Sequence, residues 1–451
     1  MQNLSNLKGI KKIYFIGIGG ISLSALSVIC KKNGFEVCGS DEKLTSITKN
    51  LEKQGIKVFE GHNKKNIQNF APDLVVYTLA IHENNPEFLF AKQSNIMIKE
   101  RSVFVGEILE NYKNVVSVSG THGKTTTTSM ISEIFLLAGL KPTIHIGGES
   151  VNINSNVVVG SGDFFVNEAC EYKKSFLKFK SKVGVILNVE EDHPDCYKNI
   201  IEVENAFKEF EKICDNVVVS VNYKPNILLN ENKNYITFGL KNANFVAKNI
   251  KKQANNGFVF DVYKNNEFYE KFKLNIFGKH NVLNALATIC VCDLFEIDKN
   301  IIKKGIENFK GVKRRFEKVE TNKFCGEVYF DYAHHPTEIK KLITEVQSLN
   351  KPIICVFQPH TYSRTKQYFN DFLSCFDETY QTIFYKTYSA REKRIKGFEA
   401  KDLYKNLKKE KNVFYYNSFK KIIKHLKKYS KSNCLVLFVG AGDIYDIKSL
   451  L

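Results

Sequence analysis

Apolar residues in this chain come in short blocks that end on glycine or a polar residue, and the blocks alternate with stretches of helical spacing. KIYFIGIGG predicts a strand that breaks into glycines, followed by a helix through Ser24, Ala25 and Leu26. FEVCGSD and DLVVYTLAI predict further strands of the same segment. Such alternation is the pattern of a parallel sheet, because parallel neighbours can be joined only by a connection that crosses back over the sheet. A fresh strand, VVSVSG, follows 111–114, where a domain boundary is expected. DFFVNEA, VGVILNV, NVVVSVN and NYITFGL predict the strands of a second unit. FVFDVYKNNEFYEKFKLNIF reads as a hairpin turning on Asn265-Asn266, and a helix is expected from about His280. After a basic join, GVKRRFEKV, the strands EVYFDYAHHP, KPIICVFQPH, YQTIFYKTY and CLVLFVGAGDI predict a third unit, with GAGDI turning the chain after its strand. The expected architecture is α/β in three domains, 1–113, 114–312 and 313–451.

Composition narrows this picture without redirecting it. A length of 451 residues suits three domains of roughly 150 residues each. No run approaches the ~20 apolar residues of a membrane span, and no apolar leader precedes the first strand, so a cytoplasmic protein is expected. The 11 cysteines are an odd number without metal-ligand spacing. Cys290 and Cys292, two apart on a predicted helix, read as reduced core thiols. The net charge of +18 could signal nucleic acid, but the lysines are dispersed. The densest run, KDLYKNLKKEKNVFYYNSFKKIIKHLKK, has helical spacing and reads as a solvated helix face. Nucleic acid is therefore not an expected partner, and the excess charge favours anionic substrates. The sequence carries no signal for oligomeric state.

Two glycine-rich turns carry the candidate chemistry. Gly17-Ile18-Gly19-Gly20 lies between strand and helix, where a phosphate can approach backbone amides at the positive helix N-terminus. Asp41 ends the next strand, about where a ribose-binding acid belongs. Ser22 occupies the third glycine position of a dinucleotide fingerprint, so the match to a nicotinamide site is incomplete. A nucleotide sugar offers the same diphosphate and ribose. The second turn, in VVSVSGTHGKTTTT, has Val118 where a P-loop would begin with glycine. Its glycines can still wrap a polyphosphate, Lys124 can neutralise the terminal phosphate, and a threonine hydroxyl can reach a metal ion. Glu168 in VNEACEY and His193 in NVEEDHPD end strands downstream, and both suit a magnesium site. A dehydrogenase would explain the first turn but leave the second idle. A non-catalytic nucleotide-binding protein would explain both turns but not Glu168, His193 and the C-terminal histidines together.

In order, FIGIGGISLSAL, GTHGKTTT, NEACEY, NVEEDH, GKHNVLNALA, KRRFE, DYAHHPTEI, QPHTYSRT and GAGDI resemble the motifs of the Mur ligase family, over nearly the whole chain. That family's ATP loop is Gly-Thr-x-Gly-Lys-Thr, which accounts for the missing glycine. The resemblance implies a Rossmann-like N-terminal domain for a UDP sugar, a central P-loop-type ATPase domain with a mostly parallel sheet, and a Rossmann-like C-terminal domain for the amino acid. It implies ATP and Mg2+ as cofactors. The implied reaction joins L-alanine to the carboxylate of UDP-N-acetylmuramate through an acyl phosphate, in peptidoglycan precursor synthesis. Attachment of a recycled murein peptide to the same sugar nucleotide is the alternative.

The same resemblance implies site residues. Gly19, Gly20, Asp41 and Thr78 would contact the UDP moiety. Gly120, Thr121, His122, Gly123, Lys124, Thr125 and Thr126 would cradle ATP, with His280, Asn281 and Asn284 on the adenine side and Arg315 and Asp331 approaching from the last domain. Lys124, Glu168 and His193 would be catalytic; Thr125 and Glu168 would hold one metal ion and His193 a second. His360, Arg364, Tyr332 and His335 would border the amino acid. Two departures stand out. Where many members have EADESD this chain has Glu168-Ala169-Cys170-Glu171-Tyr172-Lys173, which leaves no role assigned to the later acid. Thr361 stands where many have arginine. Lys208 is near the family's carbamylated lysine, but Phe207 aligns there.

Overall fold

The computed structural model describes residues 4–193, 196–221, 234–254, 256–321, 326–390, 392–408, 412–429 and 433–451, and the chain has a three-domain α/β fold. Three sheets organise it, and two compact units contain them, Met1–Val312 and Lys313–Leu451. The first sheet is wholly parallel, in the spatial order Lys57–Glu60, Glu36–Asp41, Lys12–Ile16, Leu74–Tyr77, Met97–Glu100. Winding reverses beside Lys12–Ile16. In a doubly wound sheet the ligand crevice opens at that reversal, beyond the carboxyl ends of the strands. Both the Gly17 turn and Thr78 leave the sheet there.

The second sheet has ten strands: Glu267–Leu274, Phe258–Lys264, Phe245–Lys252, Asn234–Gly239, Cys214–Ser220, Ser181–Ile186, Asn114–Ser119, Phe164–Glu168, Thr143–Ser150 and Ser155–Val158. Its centre is parallel and its two edges end in antiparallel pairs. Asn265 and Asn266 turn the predicted hairpin at φ 50° and 72°. Asparagine tolerates this left-handed backbone, and a two-residue turn of that kind matches the twist of the strands it joins. The helices Lys124–Leu137 and His280–Leu294 bury Ile131, Ile134 and Phe135 with Leu286, Ile289 and Cys290 in one core. Cys292 is buried there as well. Phe135, Phe164 and Phe295 meet edge to face at 5.2–5.7 Å, an arrangement that adds about 1 kcal/mol per pair beyond area burial.

The third sheet runs Glu317–Val319, Glu327–Asp331, Leu435–Val439, Ile353–Phe357, Gln381–Tyr385, Val413–Tyr416, parallel except for its first strand. Two sequence readings change here. The lysine-rich run is not one helix face: helix Ala400–Leu407 and helix Phe419–Leu426 flank the edge strand Val413–Tyr416. The apolar spacing of two short helices in series had masked the strand. The join GVKRRFEKV also contributes the strand Glu317–Val319. Among the described residues no helix is long and apolar enough to cross a membrane.

One buried acid in the central core serves no visible chemistry. Glu133, on the helix after the phosphate loop, accepts a hydrogen bond from Ser150 Oγ at 2.7 Å. Burial pushes its carboxyl up to about 7, against smaller opposing contributions from Ser150 and Lys310. The folded chain thus holds this proton more tightly than the unfolded chain, whose group titrates near 4.5. The resulting stability is complete below 4.5 and is lost as pH rises through about 7. Glu133→Gln, neutral at every pH, is expected to exceed the parent in stability by about 3 kcal/mol at pH 8 and to match it near pH 4.5. Urea melts at the two pH values measure this; an equal difference at both would contradict it.

Candidate functional site

The phosphate loop leaves the central strand Asn114–Ser119 and enters the helix Lys124–Leu137 through two residues in left-handed backbone, Gly120 at φ 136° and Gly123 at φ 84°. At Gly123 there is also no room: a Cβ would lie 2.5 Å from Asn284 Oδ1. Asn284 Nδ2 donates to Asn281 Oδ1, and Asn281 Nδ2 donates to the Phe277 carbonyl. The two buried asparagines therefore form a rigid rail beneath the loop. His280 opens the same helix and packs on Gly278. From the other side Asn188 grips the loop, its Oδ1 accepting from His122 N at 2.7 Å and its Nδ2 donating to the His122 carbonyl at 3.0 Å. No side chain caps the helix and no acid occupies its first turn. Its leading amides and positive dipole end are left for an anion.

Lys124 Nζ folds back over the loop, donating to the carbonyls of Gly120 at 2.5 Å and Thr121 at 3.1 Å. It also reaches both oxygens of Glu171, at 3.2 and 3.0 Å. The Glu171 side chain is 2% exposed and that of Lys124 12%, so water screens the pair little. Burial works against both charges. Even so, the Glu171 carboxylate holds the Lys124 ammonium well above its ordinary range. In turn Lys124 and His193 overcome burial and hold Glu171 down at about 2. His193 Nε2 lies 3.5 Å from Glu171 and 3.7 Å from Asp192. Its imidazole, opposed by burial but favoured by Cys170, Glu171 and Asp192, is raised to about 10. His193 sits at φ 55°, a strained backbone for a residue with a side chain, and Asp192 Oδ1 accepts its N–H at 2.7 Å. Glu171, Asp192 and His193 offer ligand atoms within 4.8 Å of one another.

Glu168 stands at the end of the neighbouring strand Phe164–Glu168, and its Oε2 accepts from Gly147 N at 3.0 Å. A Cβ on Gly147 would meet that carboxylate at 2.5 Å, and one on Gly148 would meet Thr125 Cγ2 at 2.9 Å. The Gly147-Gly148 pair thus lets Glu168 and Thr125 close in from opposite faces of one strand. Thr126 follows, buried in the same first turn. The resemblance assigned no role to the acid three residues after Glu168. Glu171 nonetheless joins Lys124 to His193; the signal was the second acid of NEACEY.

In the first sheet, the glycine turn and the acid of the next strand meet. Asp41 Oδ2 accepts from Gly19 N at 2.9 Å, and Ser40 O accepts from the amides of Gly17 and Ile18. Thr78 borders the turn: its Cγ2 would lie 3.3 Å from a Cβ on Gly17. Gly20 precedes the helix Ile21–Lys32, which begins without a side-chain cap.

The residues expected beyond Val312 form a line within their own unit. Arg315 lies over the Tyr332 ring at 5.2 Å, Tyr332 packs on His334 at 5.5 Å, and His334 on His360 at 5.9 Å. Arg364 donates to the His360 carbonyl at 3.0 Å. Asp331 accepts from Phe316 N and Ala333 N, each at 2.8 Å, and burial pushes its carboxyl up against the pull of Arg315. His335 is turned elsewhere: it caps the helix Pro336–Gln347 through Thr337 N and packs on Tyr368 at 4.5 Å. His334, and not His335, joins this line. GAGDI does more than turn the chain. The carbonyls of Gly440 and Gly442 accept from Arg314, at 2.8 and 2.9 Å, which makes Arg314 a half-buried brace.

Three family descriptions match the chain in series: Mur ligase family, catalytic domain, at 12–113; Mur ligase middle domain at 118–292; and Mur ligase, glutamate ligase domain, at 314–442. A UDP-N-acetylmuramate–L-alanine ligase of Clostridium tetani is 45% identical, over 98% of each chain. One of Clostridium perfringens is 40% identical, over 98% of this chain and 97% of its own. The crystal structure of the UDP-N-acetylmuramate-alanine ligase MurC from Thermotoga maritima is similar with a TM-score of 0.84 and 29% identity, over 98% of each chain. A murein peptide ligase from Psychrobacter arcticus shares the fold, with a TM-score of 0.73 at 21% identity and 98% coverage of each chain. With likeness of this extent along its whole length, the chain belongs to the Mur ligase family.

Proposed function

We propose that this protein joins L-alanine to the carboxylate of UDP-N-acetylmuramate, driven by cleavage of ATP to ADP and phosphate, in the cytoplasm where peptidoglycan precursors are made. The observation that carries the reading is the convergence of Lys124, Glu168, Glu171 and His193 at the carboxyl ends of adjacent strands around an uncapped helix N-terminus. Full-length relatives at 40–45% identity bear that name, which favours alanine over a recycled peptide. The same reading assigns the sugar nucleotide to 1–113, ATP to 114–312 and the amino acid to 313–451.

A carboxylate resists amines because its leaving group is poor, so activation must come first. The loop amides and Lys124 bind the triphosphate and offset charge as its terminal group passes to the muramate carboxylate. Catalysis of this step is chiefly positioning and electrostatics. Asn281 and Asn284 keep the loop in register. The donor set fits magnesium, being mostly oxygen: Glu171, Asp192 and His193 offer ligand atoms within 4.8 Å of one another, and Thr125 and Glu168 would add a hydroxyl and a carboxylate. Magnesium, when bound, neutralises phosphate charge. His360 and Arg364 receive the alanine carboxylate, leaving its amine free to attack the acyl phosphate with release of phosphate.

The test is ADP formation with UDP-N-acetylmuramate against a panel of amino acids and the murein tripeptide. Turnover is expected to require the sugar nucleotide and to be fastest with L-alanine. Turnover with the tripeptide but not with alanine would replace this reading by the alternative one.

A further inference from the structure

The turn after the strand Thr143–Ser150 holds the segment on which the chain leaves its first unit. Ser150 and Val312 pair as an antiparallel bridge, and Val151 N donates to the Gly311 carbonyl at 3.1 Å. Asn152 adds a two-ended clamp: its Nδ2 donates to the Asn308 carbonyl and its Oδ1 accepts from Lys310 N, each at 3.0 Å. Asn308 ends the helix Lys299–Asn308, so the clamp takes up one of the carbonyls that a helix C-terminus leaves unbonded. Gly311, at φ 91°, turns the chain toward the bridge. Phe309 and Val312 are buried in the central core, so the segment is packed as well as bonded.

The same strand also touches the phosphate site. A Cβ on Gly148 would lie 2.9 Å from Thr125 Cγ2 and 3.2 Å from Val312 Cγ1, so both side chains close in on one glycine. Ser150 Oγ donates to Glu133, on the helix that the phosphate loop enters. The last residue of the unit is thus fixed relative to Thr125 by packing and relative to its helix by a hydrogen bond. Arg315, which the family resemblance puts beside ATP, comes three residues after Val312. Three residues of extended chain span at most about 11 Å. An anchored Val312 therefore confines Arg315 to a short arc, whereas a chain released back to Asn308 would more than double that tether. His360 and Arg364, which receive the alanine in the same reading, follow on the same tether.

We propose that Asn152 and Val312 are positioning residues: they anchor the segment 308–312 on the strand Thr143–Ser150 and so set the tether on which Arg315 reaches the phosphates. The inference rests on the ligase reading above. A slack tether slows phosphate transfer and leaves the acyl phosphate waiting for its amine. Water then attacks instead, returning the muramate carboxylate and releasing phosphate, so that ADP forms without an amide bond.

Asn152→Ala removes both bonds of the clamp, and Asn152→Asp keeps only the acceptor. Val312→Ala removes the packing at Gly148, and Val312→Ile keeps a branched side chain there. ADP and amide would be measured together on each variant, with melting curves, and again in an Arg315→Lys background. Asn152→Ala and Val312→Ala are each expected to lower kcat by about tenfold, since a displacement of about 1 Å remote from the chemistry costs up to about 10²-fold. ADP formed per amide should rise to about two, while KM for UDP-N-acetylmuramate stays within about twofold. Asn152→Asp should fall between, and Val312→Ile should resemble the parent. In the Arg315→Lys background the added loss should shrink to about threefold or less, because residues that act through one another are not additive. Asn152 is exposed, so its variants carry the comparison should Val312→Ala fail to fold. Parent-like kcat with one ADP per amide, or an equal loss in both backgrounds, would overturn the proposal and leave the ligase reading intact. A parent enzyme that consumes no ATP with UDP-N-acetylmuramate and L-alanine would overturn both.

Discussion

Lys124→Ala is expected to lower ADP formation by about 10³-fold or more, while the chain stays folded. The size follows from what the ammonium does. In the loop it is held by two carbonyls and by Glu171, aimed across the open helix N-terminus where a triphosphate would sit. Removing one preorganised donor from a developing oxyanion costs about 10²–10³ in rate, and here the donor also carries a full charge in a buried setting. The fold should survive because Glu171 is not left alone: His193 lies 3.5 Å away and keeps a cation beside it. The loss of stability should therefore fall short of the roughly 3–5 kcal/mol that an orphaned buried charge costs. A coupled ADP assay and a melting curve on the same preparation decide the matter. Turnover within tenfold of the parent would remove Lys124 from the phosphate site.

How much of this was legible in the chain depends on whether a feature is local. The strand ends that carry Asp41, Glu168 and Asp331 could be read because apolar runs stop abruptly where a sheet meets its crevice. The Asn265-Asn266 hairpin was legible because the turn's backbone requirement is met by the two residues themselves. The edge strand Val413–Tyr416 was not, because four residues between two amphipathic helices carry too little period of their own. The strand Thr143–Ser150 hid for another reason. Its glycine pair looks like a loop, and only the proximity of Glu168 and Thr125 shows why a side chain is excluded there.

Side-chain partnerships were the least legible. GTHGKTTT announced a lysine for phosphate, but not that Glu171, 47 residues on, would hold it. His334 and His335 are adjacent and chemically alike, yet one faces His360 and the other caps a helix, a choice set by how the helix Pro336–Gln347 begins. Arg314 and Arg315 divide in the same way. Both lie over the Tyr332 ring, but only Arg314 is also taken by the carbonyls of Gly440 and Gly442.

The Lys124–Glu171 pair also sets up a competition that the second large prediction exploits. Glu171→Ala leaves two half-buried cations, Lys124 and His193, with their shared carboxylate gone, and Asp192 beside the histidine only. Breaking such a pair costs about 3–5 kcal/mol, which for a unit of this size lowers Tm by roughly 10 °C. Nucleotide should reverse the sign. In the parent, a triphosphate must draw Lys124 away from Glu171 before it gains the ammonium; in the variant only the neutral Gly120 and Thr121 carbonyls hold it. A non-hydrolysable ATP analogue without added metal is therefore expected to bind Glu171→Ala more tightly than the parent by about tenfold, equal to roughly 1.4 kcal/mol, and to raise its Tm by more. Glu171→Gln, which keeps an oxygen for Lys124 but no charge, should fall between the two. If the variant melts with the parent and binds the analogue no better, the carboxylate is neither holding the lysine nor competing with phosphate for it.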